Sequence, residues 1–169
     1  VERYIGRCID SIKNQSYENF LCVLADDNSS DNTSSVYSKA IQSDERFVVR
    51  RSESQNFALE NMVLALDDIS ISDEDVLVFV DGDDWLYDSG VFERLAHVYA
   101  NHDVLLTFGN YIKYPQNTIG HCSPYTRLEI EQASYRSSGW KASHLRTMKY
   151  RLWRNIDKKD LKDENGDYL

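Results

Sequence analysis

Residues 76–84 read VLVFVDGDD, and this stretch is the clearest strand signal in the chain. Five apolar residues in a row, ended by aspartates, are typical of a strand that is buried on both faces of a parallel sheet and then turns at its carboxyl end. Residues 20–27, FLCVLADD, repeat the arrangement earlier in the chain. We therefore predict two buried strands that each end in a cluster of carboxylates. The aspartates concerned are Asp26, Asp27, Asp81, Asp83 and Asp84.

The segments around these two strands alternate between helical and extended patterns. Apolar residues at helical spacing predict four helices, and short apolar runs predict two further strands. Such alternation predicts an α/β fold of Rossmann-like type, with a mostly parallel central sheet flanked by helices. Residues 125–140 read as a loop, and residues 143–153 are predicted to be helical. The four predicted helices lie around residues 5–12, 36–41, 56–66 and 91–99, and the two strands at 47–49 and 104–108.

The bulk properties of the chain fit one domain, spanning residues 1–169. The formal net charge of −9 argues against a nucleic-acid partner, because neutralising phosphates requires a basic face. The three cysteines form no CxxC pair, so we expect free thiols and a cytoplasmic, reducing compartment. No apolar run approaches the roughly 20 residues that a membrane helix needs, so no membrane segment is predicted in this chain.

The two acidic clusters together predict a cation site. In an open parallel sheet, ligands bind in the crevice beyond the carboxyl ends of the strands. Two carboxylate clusters in that place repel each other unless a cation or a hydrogen-bonding ligand lies between them. Mn²⁺ or Mg²⁺ suits oxygen ligands and is commonly shared between a carboxylate and substrate phosphates. The alternative is that both segments are simply turns, which favour Asp, Asn, Ser and Gly.

Four elements, in order, resemble family 2 of the glycosyltransferases. Residues 4–17, YIGRCIDSIKNQSY, resemble the first helix of that family, with its SI..Q.Y..F pattern, and residues 23–33, VLADDNSSDNT, resemble its VDDGSTDNT element. Residues 55–61 resemble its N.G...A.N helix, with Phe57 in place of the usual glycine. Residues 79–86, FVDGDDWL, resemble its FLDxDDxW strand end, which contains the Asp-x-Asp signature. The resemblance covers about the first half of the chain and implies a GT-A fold.

The resemblance also implies which residues form the site. Either Asp26 or Asp27 would accept a hydrogen bond from the base of the nucleotide, usually uracil. Asp81 would contact the ribose or the metal, and Asp83 would bind the metal that bridges the diphosphate. Several GT-A enzymes supply a late histidine as a further metal ligand, and the candidate here is His144, although a histidine in a helix is more often structural. The implied nucleotide-sugar-binding residues are Asp26, Asp27, Asn56, Asp81 and Asp83, and the implied metal ligands are Asp81, Asp83 and His144.

Aromatic and basic residues later in the sequence are candidates for further substrate contacts. Trp85, Tyr87 and Trp140 are candidates for an acceptor-sugar platform, with core packing as the alternative. Lys141 and Arg146 are candidates to face the diphosphate, with an exposed surface role as the alternative.

The function implied by the resemblance is metal-assisted transfer of a sugar from a nucleoside-diphosphate sugar, a UDP-sugar, to a hydroxyl group with inversion. The acceptor would be a glycan, a lipid-linked sugar or a glycoprotein. The alternative is a non-catalytic domain of the same fold that binds nucleotide sugar or carbohydrate. A sugar nucleotidyltransferase would need a GxGxR-type phosphate loop, which the sequence lacks. The family's first strand and a recognisable general base are not found either, so we expect a truncated GT-A domain with its base beyond Leu169.

Overall fold

Two short sheets and the helices between them carry both acidic strand ends in the computed structural model, which describes all 169 residues. None of the helices combines the length and apolar character needed to cross a membrane. The strands are β1 (Cys22–Asp26), β2 (Phe47–Arg51), β3 (Val76–Phe79), β4 (Leu106–Phe108), β5 (Ile112–Lys113), β6 (Thr118–Ile119) and β7 (Arg146–Lys149). The helices are α1 (Glu2–Lys13), α2 (Thr33–Ile41), α3 (Phe57–Asp67), α4 (Val91–Asn101), α5 (Arg127–Glu131) and α6 (Tyr150–Arg154), with a 3-10 turn at Lys158–Leu161.

The strand pairing is mixed. β1 and β2 pair in parallel, with Cys22 opposite Phe47 and Asp26 opposite Arg51. β7 lies between β3 and β4 and is antiparallel to both, so β3 and β4 run in the same direction. β5 and β6 form a separate antiparallel pair. The predicted α/β class is confirmed, and within the sheet of β3, β7 and β4 it is β7 that runs against the other two strands.

β7 corrects the prediction of a helix over residues 143–153. The segment forms a strand first and turns into the short helix α6 only afterwards. β3 and β4 offer backbone groups on both sides of this segment, and pairing with them satisfies those groups. Thr147, at the centre of β7, is fully buried, and its hydroxyl lies 2.8 Å from the Tyr99 hydroxyl and 2.6 Å from the Thr107 hydroxyl. All these partners are distant in sequence, so local periodicity does not reveal them.

The amphipathic helix α1 organises the main core. Its apolar face, predicted from the sequence, is buried in a cluster with residues of α2, β2 and the loop that follows β3. Full burial of one such side chain stabilises the fold by about 1.5–3 kcal/mol. The cluster consists of Ile5, Cys8, Ile9, Ile12, Tyr37, Ile41, Phe47 and Leu86.

Two polar residues of α1 fix the loop that follows the second acidic cluster. The Ser11 hydroxyl accepts a hydrogen bond from the Leu86 N–H at 3.0 Å. The Gln15 side chain is buried, donates to the Asp88 carbonyl at 2.7 Å and accepts from the Phe92 N–H at 3.0 Å. These bonds hold the segment after the second acidic cluster against α1. They are a physical reason why the SI..Q.Y..F pattern of the first helix contains a serine and a glutamine.

The amino-terminal end of α1 lies beside both acidic loops. The Glu2 carboxylate accepts from the Asn32 side-chain amide at 3.0 Å, on the loop that follows β1. The side chains of Val1 and Ile5 lie against Gly82 on the loop that follows β3: a β-carbon at Gly82 would come within 2.9 Å of the first and 3.4 Å of the second. The first turns of one helix thus contact both loops, and a side chain at position 82 would have to displace that of Val1.

Candidate functional site

The first acidic loop holds its leading aspartate inside the protein. Asp26 is 3% exposed, and its carboxylate accepts hydrogen bonds from the Ser29 N–H at 2.9 Å and the Tyr37 hydroxyl at 3.1 Å. A guanidinium nitrogen of Arg51 lies 3.7 Å away. Burial alone would raise the pKa of Asp26, but the hydrogen bonds and the Arg51 charge lower it below its ordinary value. This carboxylate is therefore ionised and committed to partners within the fold.

The second aspartate of this loop, Asp27, holds the start of α3. Its carboxylate oxygens accept from the Asn56 N–H at 2.6 Å and the Phe57 N–H at 3.1 Å. Burial would raise the pKa of Asp27, and these hydrogen bonds lower it. Asp27 is only partly buried, unlike Asp26. Each carboxylate oxygen can accept more than one hydrogen bond, so Asp27 keeps acceptor capacity toward a ligand.

Two positions where the family pattern has glycine adopt left-handed backbone. The φ angle is 57° at Asn28 and 60° at Phe57. Glycine takes this conformation without steric cost and asparagine tolerates it, whereas a bulky side chain is strained there. The usual glycines therefore reflect backbone geometry, and Phe57 keeps that geometry with its side chain 66% exposed.

The second acidic loop brings two carboxylates to a histidine. Nε2 of His144 lies 2.9 Å from Oδ2 of Asp84 and 3.5 Å from Oδ2 of Asp81. One ligand atom from each of the three side chains lies within 4.8 Å of the other two. The structure therefore assembles Asp81 and His144, which the resemblance pairs as ligands, but the third member of the group is Asp84 and not Asp83.

His144 reaches this group from the segment that leads into β7. The Ser143 hydroxyl lies 2.6 Å from Nδ1 of His144, so the other ring nitrogen points at the carboxylates. The ring of Tyr111 packs edge-on against the imidazole, with 5.3 Å between the ring centroids. Partners of this kind on the outer nitrogen orient metal-binding histidines. His144 therefore lies in a loop before a strand, and the cluster exists only because β7 pairs with β3.

The electrostatics of the second loop favour a cation. Burial raises the pKa of Asp84, the His144 ring opposes this rise, and the neighbouring charges of Asp83 and Asp81 add to it. His144 is the only basic side chain in a salt bridge with these carboxylates. Carboxylate oxygens and an imidazole nitrogen form a set that a divalent cation such as Mn²⁺ accepts. The residues present fit the predicted metal.

The mixed α/β fold and the metal-competent cluster after β3 agree with the GT-A class implied by the resemblance, and the matches to known proteins support that class. The chain belongs to the glycosyl transferase family 2, whose family model matches residues 1–158. It is 26% identical over 147 residues to glycosyltransferase GlyG of Streptococcus pneumoniae serotype 4, which covers 82% of this chain and 48% of that protein. It is 27% identical over 123 residues to glycosyltransferase GlyA of the same organism, which covers 69% of this chain and 16% of that protein.

A solved structure shares the fold. The mannosyltransferase PcManGT from Pyrobaculum calidifontis, in complex with GDP-Man and Mn²⁺, matches with a TM-score of 0.64 at 15% identity. The match covers 91% of this chain and 43% of that chain. The chain thus spans about half or less of the length of each of these three proteins.

The three aromatic residues predicted to form an acceptor-sugar platform differ in how far they are exposed to solvent. The ring of Trp85 is covered by the Arg7 guanidinium, 3.7 Å from the ring centroid, and by Tyr114, with ring centroids 5.2 Å apart. Tyr87 and Trp140 are 78% and 68% exposed. Trp85 is therefore half-buried against Arg7 and Tyr114, outside the main core, while the other two rings face solvent.

Asp84 belongs to the acidic cluster predicted from the sequence, but the family resemblance assigned it no individual role. It stands inside the quoted FVDGDDWL motif, and the pattern offers three aspartates from which only two were assigned. The assignment between Asp83 and Asp84 depends on how the loop turns after Gly82. The apolar residues Trp85 and Leu86, which follow Asp84 and are half-buried and buried, are the sequence signal that the end of this loop turns toward the protein.

Proposed function

We propose that this domain transfers a sugar from a nucleoside-diphosphate sugar to a hydroxyl acceptor, with inversion at the anomeric carbon and help from a divalent cation. The observation that carries the proposal is the cluster of Asp81, Asp84 and His144 at the end of β3. Family membership supports glycosyl transfer as the reaction. When the bond to the anomeric carbon breaks, negative charge collects on the departing diphosphate, and a cation held there stabilises it.

The cation in this proposal is Mn²⁺, with Mg²⁺ as the second candidate. Mg²⁺ prefers oxygen ligands in strict octahedral geometry, so the imidazole of His144 favours Mn²⁺. Asp81 and Asp84 supply the two carboxylates of the assembled group. Asp83, the ligand implied by the resemblance, stays in the proposal as a donor-binding residue whose exposed carboxylate strengthens the negative potential of the loop.

The nucleotide in this proposal lies along the first acidic loop. Asp27 is the partner for the N–H groups of the base, because Asp26 is buried and committed to Ser29 and Tyr37. Asn56, held by Asp27 and Ser52, supplies a further polar contact. A carboxylate accepts equally from uracil and guanine, so the choice of UDP over GDP rests on the resemblance alone.

The test is calorimetric titration of the full chain with UDP, GDP and dTDP, each with Mn²⁺, with Mg²⁺ and with EDTA. We expect binding that requires the metal and is tightest for UDP with Mn²⁺. Binding that is equal in EDTA would contradict the metal assignment. Metal-dependent binding of UDP without transfer or hydrolysis of any UDP-sugar by the longest available form of the protein would favour the non-catalytic alternative.

Three matched alanine variants test the ligand assignment. Asp84→Ala is expected to abolish metal-dependent UDP binding, Asp83→Ala to weaken it less, and Asp88→Ala to leave it unchanged. Asp88 serves as the control because it lies on the same loop but pairs with Arg94 at 2.8 Å, away from the cluster. A larger loss for Asp83 than for Asp84 would move the metal to the Asp-x-Asp pair implied by the resemblance.

The acceptor in this proposal is a glycan, a lipid-linked sugar or a glycoprotein, and its hydroxyl proton passes to a carboxylate base outside the residues assigned above. We also propose that the protein works in a reducing, cytoplasmic compartment. The three cysteines, Cys8, Cys22 and Cys122, are all free, and burial raises the pKa of Cys8 and Cys22 to about 12, which keeps both thiols protonated.

A further inference from the structure

A cavity of about 420 Å³ is lined by residues that precede and follow His144 in sequence, and its lining includes Trp140, Lys141 and Arg146, which the sequence suggested for substrate contacts. Its wall includes the segment around Lys141 and Ala142, which runs directly into Ser143 and His144, and it also includes Arg146 at the start of β7. One continuous segment of the chain therefore contributes both to the cavity and to the cluster. The side chains that matter below are Tyr125, Tyr135, Arg136, Trp140, Lys141 and Arg146.

Aromatic rings form one part of this cavity. Tyr125 packs edge-on against Tyr135, with ring centroids 5.1 Å apart, and against Phe108 of β4, with centroids 6.1 Å apart. These contacts fix the position of Tyr125. Tyr135 and Trp140 are 44% and 68% exposed, so their rings are open to a ligand. Exposed rings beside a cavity are suited to the apolar face of a sugar, because they combine a flat apolar surface with a polar edge.

Arginine side chains without a carboxylate partner form the other part of the cavity lining. Seven of the eleven arginines in the chain contact a carboxylate, and Arg3 and Arg7 lie over aromatic rings. The two that do neither, Arg136 and Arg146, both line this cavity. Lys141 is neutralised by Glu129 at 2.7 Å, so the two guanidiniums supply the net charge. In a chain of net charge −9, this concentration of unmatched arginine indicates an anionic ligand.

We propose that this cavity is an acceptor subsite for an acidic saccharide, in which the aromatic rings hold the sugar and Arg136 and Arg146 bind its carboxylate or phosphate group. The inference rests on the proposed glycosyl transfer, since it names the class of acceptor for that reaction. The planar guanidinium matches both anions with two parallel hydrogen bonds, so the shared chemistry is an oxyanion on a sugar ring. A neutral sugar would keep the ring contacts and lose these bonds.

The experiment measures binding of matched sugars to the full chain by calorimetry or by NMR saturation transfer, with UDP and Mn²⁺ present at saturation so that anions cannot enter the metal site. One arm compares methyl glucoside with methyl glucuronide, and the other compares glucose with glucose 6-phosphate. We expect the acidic member of at least one pair to bind about tenfold more tightly or better, because hydrogen bonds between charged groups are stronger than neutral ones. The arm with the larger ratio identifies the anion.

Four variants test the contributions of the arginines and of the aromatic rings to sugar binding separately. Arg136→Gln and Arg146→Gln should each remove most of the preference for the acidic sugar, and Trp140→Ala should weaken acidic and neutral sugars by the same factor. Arg127→Gln is the matched control, since Arg127 is 92% exposed, pairs with Glu131 and does not line the cavity. Arg136 lies in an exposed loop, so its variant remains informative if substitution in β7 impairs folding.

The proposal is overturned if acidic and neutral sugars bind equally to the unaltered protein, or if the preference survives in the Arg136→Gln/Arg146→Gln double variant. It is also overturned if these variants weaken UDP binding in the presence of Mn²⁺, because the arginines would then belong to the donor site. A failure of UDP binding in the unaltered protein would count against the proposed function, and the sugar arms repeated without nucleotide would still report on the cavity.

Discussion

The two acidic loops look alike in sequence and differ in how the fold treats their charge. After β1, the carboxylate of Asp26 is surrounded by Ser29, Tyr37 and Arg51, and its pKa is lowered even though it is buried. After β3, the pKa of Asp84 is raised, because burial and the neighbouring aspartates outweigh the single histidine beside it. One loop has its charge compensated by the protein, and the other needs a partner from outside.

This difference assigns the two loops separate roles. A compensated carboxylate stabilises the fold and shapes the loop, whereas an uncompensated cluster stores repulsion that a bound cation relieves. Asp27 stands between the two cases, since it holds the start of α3 and still has free acceptor capacity. Substitutions should therefore separate into those that change metal binding and those that change stability.

The largest expected effect is on the second loop. Asp84→Asn should lower the affinity for Mn²⁺ by more than about 100-fold, since even the loss of an outer-shell partner costs about 10–100-fold. The stability of the metal-free protein should not fall, because the substitution removes one of several mutually repelling charges. Titration calorimetry and thermal unfolding in EDTA measure the two quantities, with Asp88→Asn as the control. A large loss of stability without loss of metal affinity would reverse the roles of the two loops.

The next effect is on the first loop. Asp26→Asn should lower the free energy of unfolding by about 1–3 kcal/mol, because an amide cannot satisfy the buried donors that now face the carboxylate. Affinity for Mn²⁺ should stay within twofold, because Asp26 is not part of the cluster with His144. Urea denaturation and calorimetry on the same preparations check both statements. A variant that folds normally but no longer binds Mn²⁺ would show that the first loop carries the metal.

The pH dependence of stability, compared between the unaltered protein and Asp26→Asn, tests whether the protein stabilises the charge of Asp26. The pKa of Asp26 is lower in the folded state than its ordinary value of 3.8, so its stabilising contribution is complete above that value. It is lost as the pH falls through the folded pKa. The stability difference between the unaltered protein and Asp26→Asn should therefore shrink as the pH is lowered from 5 toward 2, as measured by urea denaturation at each pH. A constant difference would indicate that the charge of Asp26 contributes nothing.

A smaller effect is expected where one residue serves both roles. Asp27→Ala should lower stability by about 1 kcal/mol, the usual cost of losing a side chain that caps the start of a helix. It should also weaken UDP binding while leaving affinity for free Mn²⁺ unchanged. Thermal unfolding and two titrations, with UDP and with Mn²⁺ alone, distinguish these results. Unchanged UDP affinity would leave Asp27 with a structural role only.

The smallest effect concerns the strained residue next to Asp27. Phe57→Gly should raise stability by about 0.5–1 kcal/mol, because left-handed backbone costs an ordinary residue about 1–2 kcal/mol while glycine loses part of this gain through its freer unfolded chain. Phe57→Ala is the matched control, since it removes the ring and keeps the strain. If alanine stabilises as much as glycine, the exposed ring and not the backbone is the unfavourable feature.

The α/β class, the apolar face of α1 and the two strand ends with their aspartates could be predicted from the amino-acid sequence. These features follow from local rules: periodicity sets which side of a helix is buried, and an unbroken apolar run that ends in acids marks a buried strand and its exit. The pattern of the first helix even contained Ser11 and Gln15, whose hydrogen bonds to the loop after β3 are visible only in the structure.

The tertiary structure alone decided which aspartate joins His144, which aspartate is buried, and that residues 146–149 form a strand. Asp26 and Asp27 are adjacent in sequence, yet Tyr37 and Arg51 stabilise the charge of the first, and the second accepts from the N–H groups at the start of α3. The reason is physical. The role of a charged group depends on the groups that surround it, and those are contributed by segments far away in the chain, as when the pairing of β7 with β3 brings the preceding loop with His144 to the end of β3.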